Sequence, residues 1–250
     1  MAAINDNLQA VAARIRTAAR AAGRDPSAVH LLTVTKTVPA GAIEEAYAAG
    51  QRSFGENYVQ EALDKKAALD RSGTSSQIEW HLIGPLQSNK ARAAADCFEW
   101  VHTIAREKVA RRLSEARSQA AFPLNVLIQV NVSGEATKSG VPPGEVAGLA
   151  RQVAQLPRLR LRGLMAIPEP TADVALQRQA FRVVRELFDS LNKEGFALDT
   201  LSMGMSQDLE AAVAEGATMV RVGTAIFGER SKGTLASSPA TPSARVKESI

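Results

Sequence analysis

The chain has 250 residues, 45% of them hydrophobic and 22% charged, with a formal net charge of +4, which is ordinary composition for one large or two small soluble domains. In the last 22 residues four basic side chains (Arg230, Lys232, Arg245, Lys247) face two acidic ones (Glu229, Glu248) and supply +2 of that charge, so the body is nearly balanced; with few aromatics and no basic block it is a poor nucleic-acid binder. One cysteine, Cys97, excludes an internal disulfide and a cysteine-rich metal site, and the absence of any long apolar window or secretory pattern points to a cytoplasmic protein that does not enter a membrane.

Asn5 or Asp6 caps a first helix whose apolar stripe is Leu8, Val11 and Ile15, and Gly23 closes it. Strand patterns follow at 29–36 (VHLLTVTK), 53–57 (SFGEN), 78–84 (IEWHLIG) and 100–104 (WVHTI). Four more lie at 124–132 (LNVLIQVNV), 159–167 (LRLRGLMAI), 198–204 (LDTLSMG) and 218–228 (TMVRVGTAIFG). Segments rich in Ala, Glu, Arg and Leu separate them, among them PAGAIEEAYAAG, REKVARRLSEARSQ and DLEAAVAEG. Eight β units with helices between them predict an α/β fold, a single (β/α)8 TIM barrel with an extra N-terminal helix. The rival, a doubly wound open sheet, lacks its glycine-rich first turn, since TKTVPAG is not G-x-G-x-x-G. After Gly228 the chain turns to Ser, Pro, Thr, Ala and Gly, which predicts one domain over 1–230 and a disordered tail over 231–250.

Polar residues collect where the strands end, the face on which barrels carry their chemistry. Leu32, Val34 and Lys36 alternate onto one side of the first strand, so the lysine continues an apolar row. A lysine desolvated there has a lowered pKa, and a neutral amine attacks an aldehyde to give a Schiff base. Taken alone, this suits aldolases and pyridoxal phosphate proteins equally. The seventh and eighth strands add a candidate phosphate cup: SMGMSQDLEAA brings Ser202, Ser206 and a helix start, and RVGTAIFG brings Gly223 and Thr224. Singly, Gly223 also reads as a packing glycine and Ser206 as a helix cap; together the four favour an anion site.

With Lys36, FGENYVQE, WHLIGPLQSNK, GLMAIP, LSMGMSQD and VRVGTAIFG in this order, the chain resembles the pyridoxal phosphate homeostasis protein family over residues 5–228, and more remotely the N-terminal barrel of alanine racemase. The resemblance implies pyridoxal 5′-phosphate (PLP) held on Lys36 and a role in buffering or delivering it, without established turnover. It implies Ser202, Gly223 and Thr224 in the phosphate cup, Arg221 beside the pyridine nitrogen, and Asn57, His81 and Met165 lining the ring pocket. Related B6 vitamers and apo forms of PLP enzymes are the partners it suggests, and a monomer is expected.

Residue chemistry bears on turnover independently. A guanidinium at the ring nitrogen accepts no proton and weakens the cofactor as an electron sink. Racemisation also needs an acid/base group on each face of the substrate carbon. Tyr47 and Tyr58, on or entering helices, are expected to pack, so efficient racemisation is not expected. His81 reads equally as a cofactor-tuning group or a satisfied core histidine; His30 and His102 read as structural, Lys90 and Lys138 as solvated. Three scattered histidines predict no metal site. A PLP-dependent amino-acid racemase of low activity and an aldolase-type barrel remain the alternatives.

Overall fold

The computed structural model describes residues 2–71, 73–134 and 139–228; the expected tail and Lys138 lie outside them. Eight parallel strands form one closed barrel in sequential order. They are β1 (His30–Val34), β2 (Ser53–Glu56), β3 (Glu79–Leu82), β4 (Trp100–Ile104), β5 (Leu124–Val130), β6 (Leu159–Ala166), β7 (Thr200–Ser202) and β8 (Met219–Val222). Closure is made by β8 against β1, with Leu32 opposite Arg221 and Thr33 opposite Val222. Helices α1 (Ala2–Ala21), α2 (Ala40–Ala48), α3 (Val59–Asp70), α4 (Ala91–Cys97) and α5 (Glu107–Ala116) precede α6 (Val146–Ala154), α7 (Val174–Lys193), α8 (Leu209–Ala214) and α9 (Thr224–Phe227).

The main core lies between strands and helices. Phe54, Trp80, Leu82, Val126, Ile128 and Val220 point outward from their strands and join helical residues such as Ile43, Leu113 and Phe181 in one cluster. Truncating a fully buried aromatic there, Trp80 or Phe54, costs about 3–5 kcal/mol. The barrel interior holds two smaller apolar groups, Leu32–Val34–Ile83–Met219 and Trp100–Leu127–Met165, and between them a set of polar side chains. At Gly163 a side chain is impossible: φ is +157° and an added Cβ would sit 1.8 Å from the Thr200 carbonyl oxygen, so glycine allows β6 to lie close against β7 at the point where its register shifts by one residue against β5.

The strands are shorter than their apolar patterns at most ends. β1 stops at Val34, although the Thr35 amide still bonds the Gly55 carbonyl at 2.9 Å, and Lys36 and Thr37 form a turn. The pattern over 218–228 splits into β8 and the short α9, whose amides return to Gly223. A short apolar run does not distinguish a strand from a buried helical turn, and Ile226 is fully buried in helical form. Helix α1 begins at Ala2, upstream of the expected caps Asn5 and Asp6. Its stripe of Leu8, Val11 and Ile15 is buried as expected, and Asn7 bonds the Ile226 carbonyl at 2.8 Å, tying α1 to α9.

Candidate functional site

Lys36 lies two residues past β1 and is half-buried, rather than enclosed at the end of the strand as the alternation predicts. The turn that carries it is clamped from outside the barrel. Lys65 of α3 donates to the Thr35 carbonyl (2.6 Å), Glu56 (2.7 Å) and Glu61 (2.7 Å), using all three of its protons. Thr35 Oγ1 donates to the same Glu56 oxygen at 2.6 Å, and the Thr37 amide donates to Glu61. Thr37 sits in the left-handed region at φ +63°, a conformation that costs a non-glycine residue about 1–2 kcal/mol. The backbone on both sides of Lys36 is therefore fixed by one ion triad. Glu56 is fully buried, and burial raises its pKa against the pull of Lys65.

The other expected residues fall into two groups. Asn57 follows β2 and is half-buried at the same end of the barrel. Ser206, Gly223 and Thr224 lie after β7 and β8. A cleft of about 390 Å³ is lined by Arg14, Pro168, Met205, Ser206, Asp208 and Thr224. A second, of about 370 Å³, runs from Val34 and Thr37 across Gly223 to Thr224. At Gly223 an added Cβ would lie 2.8 Å from the Val34 carbonyl oxygen, so this glycine serves the close approach of β8 to β1 whatever else it does.

His81, Met165, Ser202 and Arg221 are deeper. Met165 is fully buried against Trp100 and Leu127. Ser202, expected in the phosphate cup, turns its hydroxyl into the barrel, where Arg221 donates to it at 2.8 Å and to its carbonyl at 2.6 Å. A third bond runs from Arg221 to the Ala166 carbonyl at 2.9 Å. Arg221 is only 4% exposed, and among the described residues no carboxylate hydrogen-bonds it. Burial lowers its pKa to about 10, and the nearby Asp208 partly offsets this, so it stays charged at neutral pH.

Two residues escaped the sequence reading. His102, expected as structural, bonds Ser202 Oγ through Nδ1 (3.0 Å) and His81 Nδ1 through Nε2 (3.0 Å). Because β4 and β7 are not neighbours, the first of these bonds crosses the barrel interior. His81 in turn meets Glu79 at 3.1 Å, and Glu79 also accepts from Trp100 Nε1 (2.8 Å) and Ser53 (3.2 Å). His81 therefore reaches Arg221 only through His102 and Ser202. Burial lowers the pKa of both histidines, His102 well below the ordinary value, while the His81 bond pulls Glu79 down to about 2. The signal was alternation: Glu79 and His81 share one face of β3, Trp100 and His102 one face of β4.

The tyrosines differ from expectation in one case. Tyr47 bonds Gln77 at 2.6 Å and carries Arg52 over its ring, but Tyr58, just before α3, is 62% exposed beside Asn57. His30, expected as structural, is exposed as the first residue of β1, Lys90 is exposed, and burial raises the Cys97 thiol to about 11.

The alanine racemase N-terminal domain family matches residues 7–231. The pyridoxal phosphate homeostasis protein of Pseudomonas aeruginosa is 60% identical over 95% of this chain and 100% of its own, and that of Escherichia coli K12 is 52% identical over 91% and 97%. The solved structure of PipY from Synechococcus elongatus with PLP bound superposes with a TM-score of 0.77 at 38% identity, covering 90% of this chain and all of that one. With that barrel and that extent of identity, the chain belongs to the alanine racemase N-terminal domain family and, within it, to the pyridoxal phosphate homeostasis proteins.

Proposed function

We propose that this protein binds PLP as a Schiff base on Lys36 and holds it for buffering or delivery, without efficient turnover. The observation that carries the reading is Arg221. A charged guanidinium buried inside a barrel is costly unless something accepts from it. Three bonds to Ser202 and Ala166 anchor it and leave two N–H groups for a further acceptor. A pyridine nitrogen lone pair suits that donor, and Lys36 stands after the neighbouring strand β1.

Bound PLP supplies an aldehyde and an electron-withdrawing ring. Condensation of the Lys36 amine with that aldehyde forms one C=N bond and releases one water. Ser206, Gly223 and Thr224, on the two clefts that meet at Thr224, would take the phosphate. Asn57 would flank the ring, Met165 would support it from below, and His81 and Ser202 would act through Arg221. Because Arg221 donates to the ring nitrogen and cannot protonate it at neutral pH, carbanion chemistry is weakly supported. The recipients are apo forms of PLP enzymes, with related B6 vitamers as further ligands.

The purified protein should show a visible absorbance band that borohydride bleaches, and peptide mapping should find the label on Lys36. A Lys36→Ala protein that retained a reducible band would refute the assignment. A racemase reading draws on exposed Tyr58 beside Asn57, the one tyrosine near the strand ends. Exchange of the alanine α-hydrogen for deuterium at enzymatic rates, lost in Tyr58→Phe, would favour it.

A further inference from the structure

We propose that Glu79, His81, His102 and Ser202 form a directional hydrogen-bond relay that positions Arg221 and couples its ligand to the protonation state of the opposite barrel mouth. This rests on the reading that Arg221 faces the ring nitrogen of PLP. Four consecutive bonds make the relay: Arg221 to Ser202 Oγ (2.8 Å), Ser202 to His102 (3.0 Å), His102 to His81 (3.0 Å) and His81 to Glu79 (3.1 Å). Glu79 is the first residue of β3, and its side chain is 44% exposed, so this end meets solvent at the strand starts. Arg221 is the third residue of β8, toward the strand ends.

The two ends fix the direction of every proton between them. An ionised Glu79 only accepts, so His81 Nε2 carries hydrogen and, in a neutral ring, His81 Nδ1 accepts. His102 Nε2 must then donate and its Nδ1 accept, which makes the Ser202 hydroxyl donate to it. Arg221 only donates, so Ser202 Oγ accepts from it, in agreement with the order reached from the other end. Both histidines are thereby neutral Nε2–H tautomers. Burial, which disfavours the charged ring in both, acts the same way.

A proton added to His81 reverses this order. His81 Nδ1 becomes a donor, His102 must present a bare Nε2 and carry its hydrogen on Nδ1, and Ser202 Oγ then accepts from both neighbours. The Ser202 hydroxyl hydrogen then has no acceptor on His102, and two donors converge on the one oxygen that anchors Arg221, so the bond from Arg221 is weakened. The charged or titratable groups facing the histidine pair are Glu79 from its own strand, Glu99 before β4, and Arg221 from β8; Arg162 of β6 lies 4.7 Å over the Trp100 ring, which stacks on His81. Glu79 makes the hydrogen bond that favours the charged ring, so removing its charge moves the reversal to lower pH.

The test uses the full chain with bound PLP, as wild type, Glu79→Gln and His102→Phe. Nitrogen-15 spectra of the histidine rings should show both as neutral Nε2–H tautomers at pH 7. On acidification the His81 signal and the PLP dissociation constant should share a midpoint. In Glu79→Gln, which lies at the far mouth and leaves every ligand-binding residue intact, both midpoints should fall together by at least half a pH unit. His102→Phe should weaken PLP binding about tenfold at pH 7, the equivalent of one buried hydrogen bond lost from the serine that anchors Arg221. If His102→Phe does not fold, the Glu79→Gln arm decides alone. An Nδ1–H tautomer at either ring, or a binding midpoint that stays put while the His81 midpoint moves, overturns the relay. Absence of borohydride-trapped cofactor on wild-type Lys36 overturns the reading of the site and the coupling with it, and the ring tautomers still decide the hydrogen-bond order on their own.

Discussion

Replacing Lys65 by methionine tests whether the ion triad holds the Lys36 turn. The two side chains are of similar length, so packing changes little and the loss is electrostatic. Lys65 is 8% exposed and Glu56 fully buried, and removing one partner of such a pair costs about 3–5 kcal/mol. The molecule can limit that loss by protonating Glu56. Protonating a glutamate of ordinary pKa at pH 7 costs about 3.7 kcal/mol, and at pH 5 about 1 kcal/mol. The sign follows from linkage: Glu56 in the variant has a folded pKa above its unfolded one, so the folded state binds the extra proton and recovers stability as pH falls. Urea unfolding of Lys65→Met should therefore show a deficit of about 3–4 kcal/mol against wild type at pH 7, shrinking to about 1–2 kcal/mol at pH 5, with an unchanged m-value. Adding Glu56→Gln should restore most of the loss at pH 7 and remove its pH dependence. The site should report it too: with the Thr35 carbonyl released and Glu56 and Glu61 no longer held together by the ammonium, PLP should bind on the order of tenfold more weakly. A deficit below about 1 kcal/mol at pH 7, or one of equal size at both pH values, would refute the reasoning.

Gly223→Ala places a Cβ 2.8 Å from the Val34 carbonyl oxygen, and should cost about 1–3 kcal/mol in urea and reduce PLP loading; wild-type stability would mean that β1 and β8 can separate there freely. Glu79, held down to about 2 chiefly by the His81 hydrogen bond, contributes stability above its unfolded pKa that is lost as pH falls from about 4.5 toward 2. Its half-exposed side chain lets water screen that contribution, so Glu79→Gln should flatten the acid limb of an unfolding profile without abolishing it. Cys97, buried and raised to about 11, should react with thiol reagents only as fast as the protein unfolds; prompt labelling of the native protein would contradict this.

The barrel was legible because each strand is buried on its outer face, which leaves a run of Val, Ile and Leu that no surface element would carry. The strand ends were less so. The pattern runs past the ends of β5 and β7 for different reasons: Met203 and Gly204 are buried and still bond β8 (the Met203 amide to the Met219 carbonyl at 3.1 Å, the Arg221 amide to the Gly204 carbonyl at 2.9 Å), whereas Asn131 and Val132 are half-buried and the Asn131 amide turns to the Val141 carbonyl. Lys36 was placed by alternation, which ceases to apply once the chain turns after Thr35. Its clamp was invisible, since Lys65 and Glu61 lie in α3 as an i, i+4 pair of the kind that is usually solvated. The relay was hidden for the opposite reason. Glu79, His102 and Ser202 come from β3, β4 and β7, and only closure of the barrel brings β4 opposite β7.

The two networks differ in what they leave free. Around the Lys36 turn every proton of Lys65 is committed, to a carbonyl and two carboxylates, and both carboxylates also bind the turn itself. Such a cluster has one low-energy arrangement, and departing from it strands a charge in the core. Beneath Arg221 the order of donors is set only from the ends, and two neutral imidazoles between them can reverse it for the gain of one proton. The residue that would hold PLP covalently therefore stands on a rigid turn, and the residue that would meet its ring nitrogen rests on a chain that responds to solvent at the far mouth. A tight covalent anchor alone gives a sink for the cofactor. An adjustable contact on the other side of the ring changes the affinity of the same site without moving the anchor, which is the property that reversible storage requires.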